Sequence, residues 1–279
     1  MNSIEKGLVS VIMPAYNAEK YIESAIASLQ AQDYTHWELL VVNDGSKDNT
    51  GAIIDALAAQ DVRIKPIHQP NQGVSAARNA ALAQMQGEFF LTFDADDILT
   101  PQSIAIRVAH FQANPQVYFV DGIIVKKDAL MQNTLQYCQG NLKGNPQASL
   151  MQLQGHAFIM PSWMVRRVEA KTYQMRLGMT HSEDLLFYIS ISDNPAHEYN
   201  TLPIEVLHYR IHTNSAMANL KGLKNGYMTL YEILKREYGI DFSLKMYLKY
   251  RISRIMFLSF LRKKEYKAAF SSVLQIASL

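Results

Sequence analysis

Short apolar runs alternate with longer stretches of helical periodicity along the first 125 residues. Five runs rich in β-branched and aromatic residues predict strands at 8–13, 37–43, 63–68, 89–93 and 117–125. The alternation with helix-like stretches predicts an α/β fold, in which a mostly parallel, Rossmann-like sheet is flanked by helices. Ligands bind at the carboxyl ends of the strands in such sheets. Acidic residues that directly follow a strand are therefore candidates for a site.

The pattern changes after residue 125. Residues 126–160 are rich in Gln, Asn and Gly and predict a connection or a variable lobe. A helix is predicted to begin in HSEDLLFYISI (181–191), and the alternating run IEVLHYRIH (204–212) predicts a further strand. The chain after this run has a helical pattern to its end. We therefore predict a catalytic domain at 1–215 and a C-terminal helical extension at 216–279.

Composition narrows the class of protein. The chain has 279 residues, of which 48% are hydrophobic, and this is sufficient for a packed core. The single cysteine, Cys138, excludes an intrachain disulfide and fits a reducing compartment. No run approaches the roughly 18 apolar residues of a membrane-spanning helix, and the apolar stretch near the N-terminus is too short for a signal peptide. The sequence therefore predicts a cytoplasmic protein without a transmembrane segment.

Charge is unevenly distributed along the chain. The formal net charge is +2, but the segment from Lys235 to Leu279 has ten Lys and Arg against three acids, which leaves residues 1–234 at −5. A basic amphipathic helix is typical of segments that bind anionic membranes, so we expect a peripheral association with the inner face of the cell membrane. The alternative is that the apolar stripe packs on the catalytic domain. The stripe consists of Leu244, Tyr247, Leu248, Ile252, Ile255 and Leu258.

Three carboxylates lie within four positions at the end of the strand predicted at 89–93, in FLTFDADDIL. Two ionised carboxylates about 4 Å apart repel each other by roughly 4 kcal/mol at an effective dielectric near 20. A divalent cation bound by Asp94 and Asp96 offsets this repulsion and also bridges a diphosphate. Asp97 has a simpler interpretation, as a residue that shapes the turn before the next helix.

Other candidate residues are weaker in isolation. Asp44, in NDGSKDNT, follows a predicted strand and is either an acceptor for a nucleobase or sugar or an ordinary turn residue. Arg78, in NQGVSAARNAAL, is either a phosphate ligand or a solvated surface residue. Glu183 and Asp184, in SEDLLF, occupy the first turn of a predicted helix, where the helix dipole favours acids regardless of function. Alternation places four side chains of the run at 204–212 on one face of a strand: Val206, His208, Arg210 and His212.

Taken in order, five segments resemble those of the family 2 glycosyltransferases, which are inverting enzymes of the GT-A fold. The segments are VSVIMPAYNAEKYIESAIASLQAQ, ELLVVNDGSKDNT, NQGVSAARNAALAQMQGEFFLTFDADD, SEDLLF and YRIHTNSA. The resemblance implies that a hydroxyl of a glycan or lipid-linked saccharide acceptor attacks a UDP-sugar donor, with Mn²⁺ or Mg²⁺ as cofactor. It also implies a role in the synthesis of a surface polysaccharide or lipopolysaccharide, without nucleic acid as a partner.

The resemblance assigns roles to individual residues. It implies that Asp96 binds the metal ion, with His212 completing the metal shell, and that Asp184 is the general base, supported by Glu183. Asn43 departs from the family pattern, since many relatives have an aspartate there. Seven residues are implied to bind the nucleotide sugar: Pro14, Ala15, Tyr16, Asp44 at the uracil edge, Arg78 near the uracil and diphosphate, and Asp94 near the ribose with Ala95 beside it.

Two other interpretations remain open. The run FFLTFDADDIL also fits a phosphatase of the haloacid dehalogenase type, whose first aspartate is a nucleophile. That motif normally opens its fold, whereas three strand–helix units precede it here. A non-catalytic module that binds a nucleotide sugar is the second alternative. The glycines form neither GxGxxG nor GxxxxGK[ST], which argues against a dinucleotide-binding oxidoreductase.

Overall fold

The computed structural model describes residues 3–156, 162–212 and 219–279. The predicted boundary between residues 215 and 216, and the TNSA portion of the YRIHTNSA motif, lie outside this part of the chain. The strands in it are β1 Glu5–Ala15, β2 Trp37–Asp44, β3 Ile64–Gln69, β4 Gly87–Thr92, β5 Ile98–Leu99, β6 Val117–Lys127, β7 Thr134–Cys138, β8 Met164–Arg166 and β9 Glu198–Arg210. The helices are α1 Ile22–Gln30, α2 Thr50–Ala58, α3 Val74–Leu82, α4 Ser103–Ala113, α5 Gln147–Met151, α6 Glu183–Ile191, α7 Leu220–Glu237, α8 Phe242–Arg262 and α9 Tyr266–Ala277.

One mixed sheet forms the centre of the fold, in the order β3-β2-β1-β4-β8-β6-β9-β5, with β7 paired to β6. The first four strands are parallel to one another, as the strand–helix alternation predicts, and β6 is parallel to β9. The short strand β8 runs antiparallel to both β4 and β6 and joins these two parallel sets. The predicted α/β class, with a sheet flanked by helices, is confirmed.

Every strand predicted from the sequence is present, although its ends shift. The segment 126–160, which we expected to be irregular, contains β7 and α5. Residues 134–137 of β7 are exposed, so this strand lacks the apolar alternation by which strands are recognised. The alternation predicted at 204–212 also ends early, because β9 stops at Arg210.

Two apolar layers cover the sheet. Side chains alternate along β1, so that Val11 and Met13 pack in the layer of α1 and α4, while Ile12 packs on the opposite face with α3 and α6. A strand buried on both faces is largely apolar, which accounts for the LVSVIM run. Its one polar residue, Ser10, is buried and donates a hydrogen bond to Glu38. The C-terminal helices α7, α8 and α9 extend the layer of α3 and α6.

The inner side of α8 is part of this core. Four residues on this side are buried: Leu248, Ile252, Met256 and Phe260. Leu248 and Ile252 belong to the stripe that we expected to face a membrane, so the expectation is wrong for these two residues. The apolar spacing of three and four residues reports packing on the domain, as the alternative interpretation stated. Tyr247 and Leu258 of the predicted stripe are exposed on the outer side of α8. Among the described helices, none combines the length and apolarity needed to cross a bilayer.

Two glycines of α7 allow a close approach to the segment before α6. A Cβ atom at Gly226 would lie 2.5 Å from the carbonyl oxygen of His181, and one at Gly222 would lie 2.4 Å from the tip of the His181 ring. Glycine inside a helix costs about 1 kcal/mol relative to alanine, and this packing explains why it occurs twice here. This close packing places α7 against His181, immediately before the start of α6.

Candidate active site

The carboxyl ends of the parallel strands open into a cavity of about 870 Å³. Ligands bind at this edge in α/β sheets, and the volume lies in the upper part of the range for small-molecule sites. All eleven residues predicted for the site line this cavity: Pro14, Ala15, Tyr16, Asp44, Arg78, Asp94, Ala95, Asp96, Glu183, Asp184 and His212. Their placement is therefore observed, whereas their individual roles stay predictions.

Two loops form the end of the cavity next to β1 and β2. Asn17 adopts a left-handed conformation (φ 50°), and its backbone N–H donates to the hydroxyl of Ser46 at 3.0 Å. The N–H of Ala18 donates to the hydroxyl of Thr50 at 2.8 Å. These bonds hold Tyr16 at the cavity wall with half of its surface exposed. An exposed aromatic ring in a cavity offers a stacking surface for a nucleobase.

Asp44 is buried at the end of β2, and its carboxylate already accepts three hydrogen bonds. The donors are the backbone N–H groups of Gln72 and Gly73, at 2.9 and 2.8 Å, and the side-chain amide of Gln69 at 2.7 Å. Gly73 has φ +88°, a conformation that other residues rarely adopt. Asp44 therefore orders the loop before α3 in addition to its predicted contact with uracil.

Arg78 connects the donor end of the cavity to the start of α6. Its guanidinium donates to Asp94 Oδ1 at 2.8 Å and to Glu183 Oε1 at 3.4 Å, and only 4% of its side chain is exposed. Burial lowers the pKa of Arg78, but the charges of Asp94, Glu183 and Asp184 outweigh burial and leave the pKa above its usual value. Arg78 is therefore a permanent cation shared among carboxylates, and not a solvated surface residue.

Asp96 and His212 meet at one corner of the cavity. Oδ2 of Asp96 lies 2.8 Å from Nε2 of His212, and the His212 ring stacks on Tyr21 with centroids 5.3 Å apart. Burial and the charge of Asp94 raise the pKa of Asp96, while His212 lowers it. An imidazole and a carboxylate thus converge on the position that the sequence assigns to the metal ion.

The chemistry of this corner fits a hard divalent cation. Mg²⁺ and Mn²⁺ take carboxylate oxygens, and imidazole is an accepted ligand of transition metals. Within the described residues, no three His, Cys, Asp or Glu side chains converge to form a complete metal site. Asp96 and His212 would therefore supply only part of the ligands of such a cation, and the remainder would have to come from substrate and water, as is common for Mg²⁺ at phosphate substrates.

Asp97 has the turn-forming role that the sequence indicated. Its Oδ1 accepts the backbone N–H of Arg210 at 2.8 Å, and the Arg210 side chain donates to the carbonyl of Asp96 at 2.7 Å. Burial and the charges of Asp96 and Asp94 raise the pKa of Asp97 well above its usual value. This network ties the carboxylate turn to the end of β9, beyond which His212 reaches the cavity.

The first turn of α6 presents Glu183 and Asp184 to the cavity. Ser182 precedes them in a left-handed conformation (φ 62°) and occupies the N-cap position, but in the described structure its hydroxyl makes no capping bond. Such a conformation is uncommon outside glycine and concentrates at functional sites. Burial, and then the charge of Glu183, raise the pKa of Asp184 to about 7, while Arg78 acts in the opposite direction. A carboxylate that titrates near neutral pH is well suited to general base catalysis.

The cavity also contains residues that the sequence analysis missed. Tyr209 of β9 faces four carboxylates, and burial, followed by the charge of Asp97, raises its pKa so that the phenol stays protonated. The sequence signal that could have identified Tyr209 as a site residue is its position in the YRIH motif, next to Arg210. Leu223 and Tyr227 of α7 and Ile255 of α8 also line the cavity. No local pattern links these helices to the site.

A family model described as "Glycosyl transferase family 2" matches residues 10–173. The chain belongs to this family. The phosphatase interpretation is therefore wrong, because the acidic motif lies inside a glycosyltransferase domain. An uncharacterized glycosyltransferase of Haemophilus influenzae is 32% identical over 198 residues, which cover 65% of this chain and 70% of the relative.

Other relatives match over shorter segments. The UDP-Glc:alpha-D-GlcNAc-diphosphoundecaprenol beta-1,3-glucosyltransferase WfgD of Escherichia coli is 40% identical over 108 residues, covering 38% of this chain and 42% of that protein. A putative teichuronic acid biosynthesis glycosyltransferase, TuaG of Bacillus subtilis, is 42% identical over 93 residues, covering 33% and 37%. The matches to the first curated relatives span 27% to 44% of their length.

Solved structures of glycosyltransferases share the fold of this family member. Staphylococcus aureus TarS 1-349, in complex with UDP-GlcNAc, has a TM-score of 0.65 at 17% identity, covering 97% of this chain and 91% of that chain. The mannosyltransferase PcManGT of Pyrobaculum calidifontis, in complex with GDP-Man and Mn²⁺, has a TM-score of 0.62 at 17% identity, covering 97% and 75%. At this level of identity the likeness concerns the fold, and the expected GT-A architecture is confirmed.

Proposed function

We propose that this chain is an inverting glycosyltransferase that moves a sugar from a UDP-sugar to a hydroxyl of a glycan or lipid-linked saccharide. The observation that carries the proposal is the position of Asp184, whose pKa is raised to about 7, in the same cavity as Asp94 and Asp96. Family membership supports the reaction class. The donor and acceptor classes follow the printed names of WfgD and of the TarS complex, and WfgD and TuaG support a role in surface polysaccharide synthesis.

The geometry supports a single displacement. Asp184 takes the proton from the acceptor hydroxyl as that oxygen attacks the anomeric carbon, on the face opposite the diphosphate. This inverts the centre, so an α-linked donor gives a β-glycoside. Arg78 keeps Asp94 and Glu183 in place through its two ion pairs. Asp96 and His212 would hold a divalent cation, which would supply positive charge for the departing diphosphate.

The test is release of UDP from a panel of UDP-sugars in the presence of Mn²⁺. We expect one donor to be turned over, and Asp184→Asn to lose roughly 10²-fold or more of the rate while donor binding persists, since this is the usual scale for a general base. Asp33→Asn is the matched control, because Asp33 is exposed on the surface. Binding of a UDP-sugar without release of UDP would instead favour the non-catalytic module, and equal rates in both variants would remove Asp184 from the mechanism.

We also propose that the enzyme works at the anionic inner face of the cell membrane, bound through the outer face of α8 and α9. This face exposes aromatic and aliphatic side chains, with Phe257 and Phe270 in edge contact between the two helices. Residues 242–279 contain eight Lys and Arg and a single acid, Glu265. Exposed apolar residues combined with positive charge are typical of membrane-surface helices. The exposed apolar residues are Phe242, Met246, Tyr247, Tyr250, Leu258, Tyr266, Phe270 and Leu274.

Co-sedimentation with liposomes tests this placement. The full chain is expected to bind anionic vesicles and not neutral ones, and to dissociate with salt, because each cation near the surface contributes about 1 kcal/mol. The double substitution Phe270→Ser with Leu274→Ser should weaken binding, whereas Val62→Ser with Leu130→Ser, two residues exposed elsewhere, should not. Equal binding of both double variants, or no binding to anionic vesicles at low salt, would contradict the proposal.

A further inference from the structure

The cavity continues past Asp184 on the side away from the nucleotide loops. Donor-side features such as carboxylates, Arg78 and glycine-rich backbone are replaced there by an apolar wall. It is built by α5 and the turn that follows it, together with α7 and α8 from much later in the chain. We use the term acceptor wall for its apolar residues, which are Leu150, Leu153, Leu223, Tyr227 and Ile255.

The acceptor wall is fixed to the catalytic residues by packing and hydrogen bonds. Gly226 brings α7 against the backbone of His181, three residues before Asp184. Arg251 of α8 donates two hydrogen bonds to the carbonyl oxygen of Leu153, at 3.1 and 3.2 Å. The wall and the proposed base therefore keep a fixed relation, which is needed for a surface that positions a reacting hydroxyl.

The leucine and isoleucine side chains of the acceptor wall offer no hydrogen-bonding group, and the polar side chains of Thr180, His181 and Ser182 line the cavity in the segment that leads to Asp184. The hydroxyl of Ser149 is buried and has no hydrogen-bond partner in the described part of the chain. Tyr227 lies close enough to Asp184 for that charge to raise its pKa, in addition to the effect of burial. Together with the polar side chains next to Asp184, these two hydroxyls can orient the sugar end of a ligand. A free saccharide has many more hydroxyls, and those placed against leucine and isoleucine would lose their hydrogen bonds to water without replacement.

We infer that the acceptor is an amphipathic glycoside whose apolar aglycone lies against the acceptor wall while a sugar hydroxyl faces Asp184. This inference rests on the proposed glycosyl transfer. In this inference the C-terminal helices help to select the acceptor. A saccharide linked to an alkyl, prenyl or aryl group is favoured over the same saccharide alone.

The experiment compares octyl and methyl glycosides of several common hexoses, below the micelle concentration of the octyl compounds. UDP release from the donor is measured as each glycoside is added. A glycoside with the correct hydroxyl raises the rate through transfer, and one without it lowers the rate by excluding water from the acceptor side. The readout is the concentration that gives half of the effect, which we expect to be at least tenfold lower for the octyl compound.

Matched substitutions locate the effect. Tyr227→Ser and Ile255→Ser should reduce the octyl advantage to less than threefold, whereas Tyr250→Ser and Leu258→Ser, on the exposed outer face of α8, should keep it. Donor hydrolysis without any glycoside shows that each variant is folded and retains its donor site. Absence of UDP release from every donor in the wild type, both with and without a glycoside, would contradict the proposed function itself. Three results would overturn the acceptor wall while leaving the proposed function intact, provided that the wild type releases UDP. The half-effect concentrations of the methyl and octyl glycosides could be equal, neither glycoside could have an effect, or the octyl advantage could survive in the wall variants.

Discussion

Replacing Glu183 with glutamine tests how the site sets the protonation of the proposed base. Burial and the neighbouring charge of Glu183 raise the pKa of Asp184 to about 7, and Arg78 opposes them. Arg78 is also bound to Glu183, at 3.4 Å. The substitution removes a negative charge beside Asp184 and releases part of a positive one. Both changes favour ionised Asp184, so its pKa is expected to fall.

The size of this shift follows from Coulomb's law. Carboxylates on adjacent residues of a helix turn are about 6 Å apart, and two unit charges at that separation interact by roughly 3 kcal/mol at an effective dielectric near 20. This energy corresponds to about 2 pKa units. Because the cavity admits water, which screens the interaction, we expect a decrease of about 1 to 2 units.

The assay is the pH dependence of kcat/KM for sugar transfer between about pH 5 and 9. A base must be deprotonated to act, so activity is lost as the pH falls through the pKa of Asp184. The wild type should show a rising limb near pH 7, and Glu183→Gln should move it to lower pH. Glu23→Gln, at an exposed position of α1, should leave it in place. A limb that stays at pH 7 in Glu183→Gln, or moves upward, would refute the reasoning.

Three further substitutions probe the cavity from other sides. Asp96→Asn should reduce Mn²⁺-dependent UDP release by about 10²-fold, because it removes a proposed metal ligand. Thermal stability should not fall, because the substitution relieves repulsion from the neighbouring carboxylate. Retained Mn²⁺ dependence would contradict the metal assignment. Arg78→Gln should destabilise the fold by about 3 kcal/mol. The loss should be larger at pH 8 than at pH 6, because Arg78 stabilises the ionised form of Asp184, whose pKa is about 7. Arg78→Lys should destabilise less, and a pH-independent loss would argue against this charge interaction. Gly226→Ala should cost about 1–2 kcal/mol of unfolding free energy in urea, because its Cβ would meet the backbone of His181. Gly222→Ala should cost less, because its Cβ would meet side-chain atoms of His181 and Asn219, which can shift more easily than backbone. Equal costs would contradict this account of the α7 packing.

The parallel half of the fold could be predicted because its signals are local. Each of β1 to β4 is a short run of strand-forming residues, and each is separated from the next by a helical pattern. Parallel strands place their carboxyl ends at one edge, so the positions of Asp44 and Asp94 directly after two strands predict that both lie at the same site. The strand β8 has only three residues, too few to establish a period, and its antiparallel pairing depends on contacts distant in sequence.

The role of a residue was harder to predict than its position. Asp97 looks like a further acid of the motif, yet its carboxylate is committed to the backbone of Arg210. Asp44 was expected to face a ligand, and its oxygens are engaged by the loop before α3. A sequence gives the residue type and its place on a strand, but hydrogen-bond partners come from chain segments whose approach is set by tertiary packing.

The helix α8 shows why a single amphipathic pattern was insufficient to assign a surface. Its apolar residues recur at spacings of three and four, and this predicts one buried stripe without stating what buries it. In the structure the stripe packs on the core, Ile255 reaches the cavity, and Leu258 is exposed one turn further along the outer face. An aglycone that extends beyond Ile255 would therefore meet the helix whose outer face is proposed to bind the membrane. The two proposals remain separable, because short octyl glycosides in solution probe the wall without a bilayer, and liposome binding probes the outer face without a donor or an acceptor.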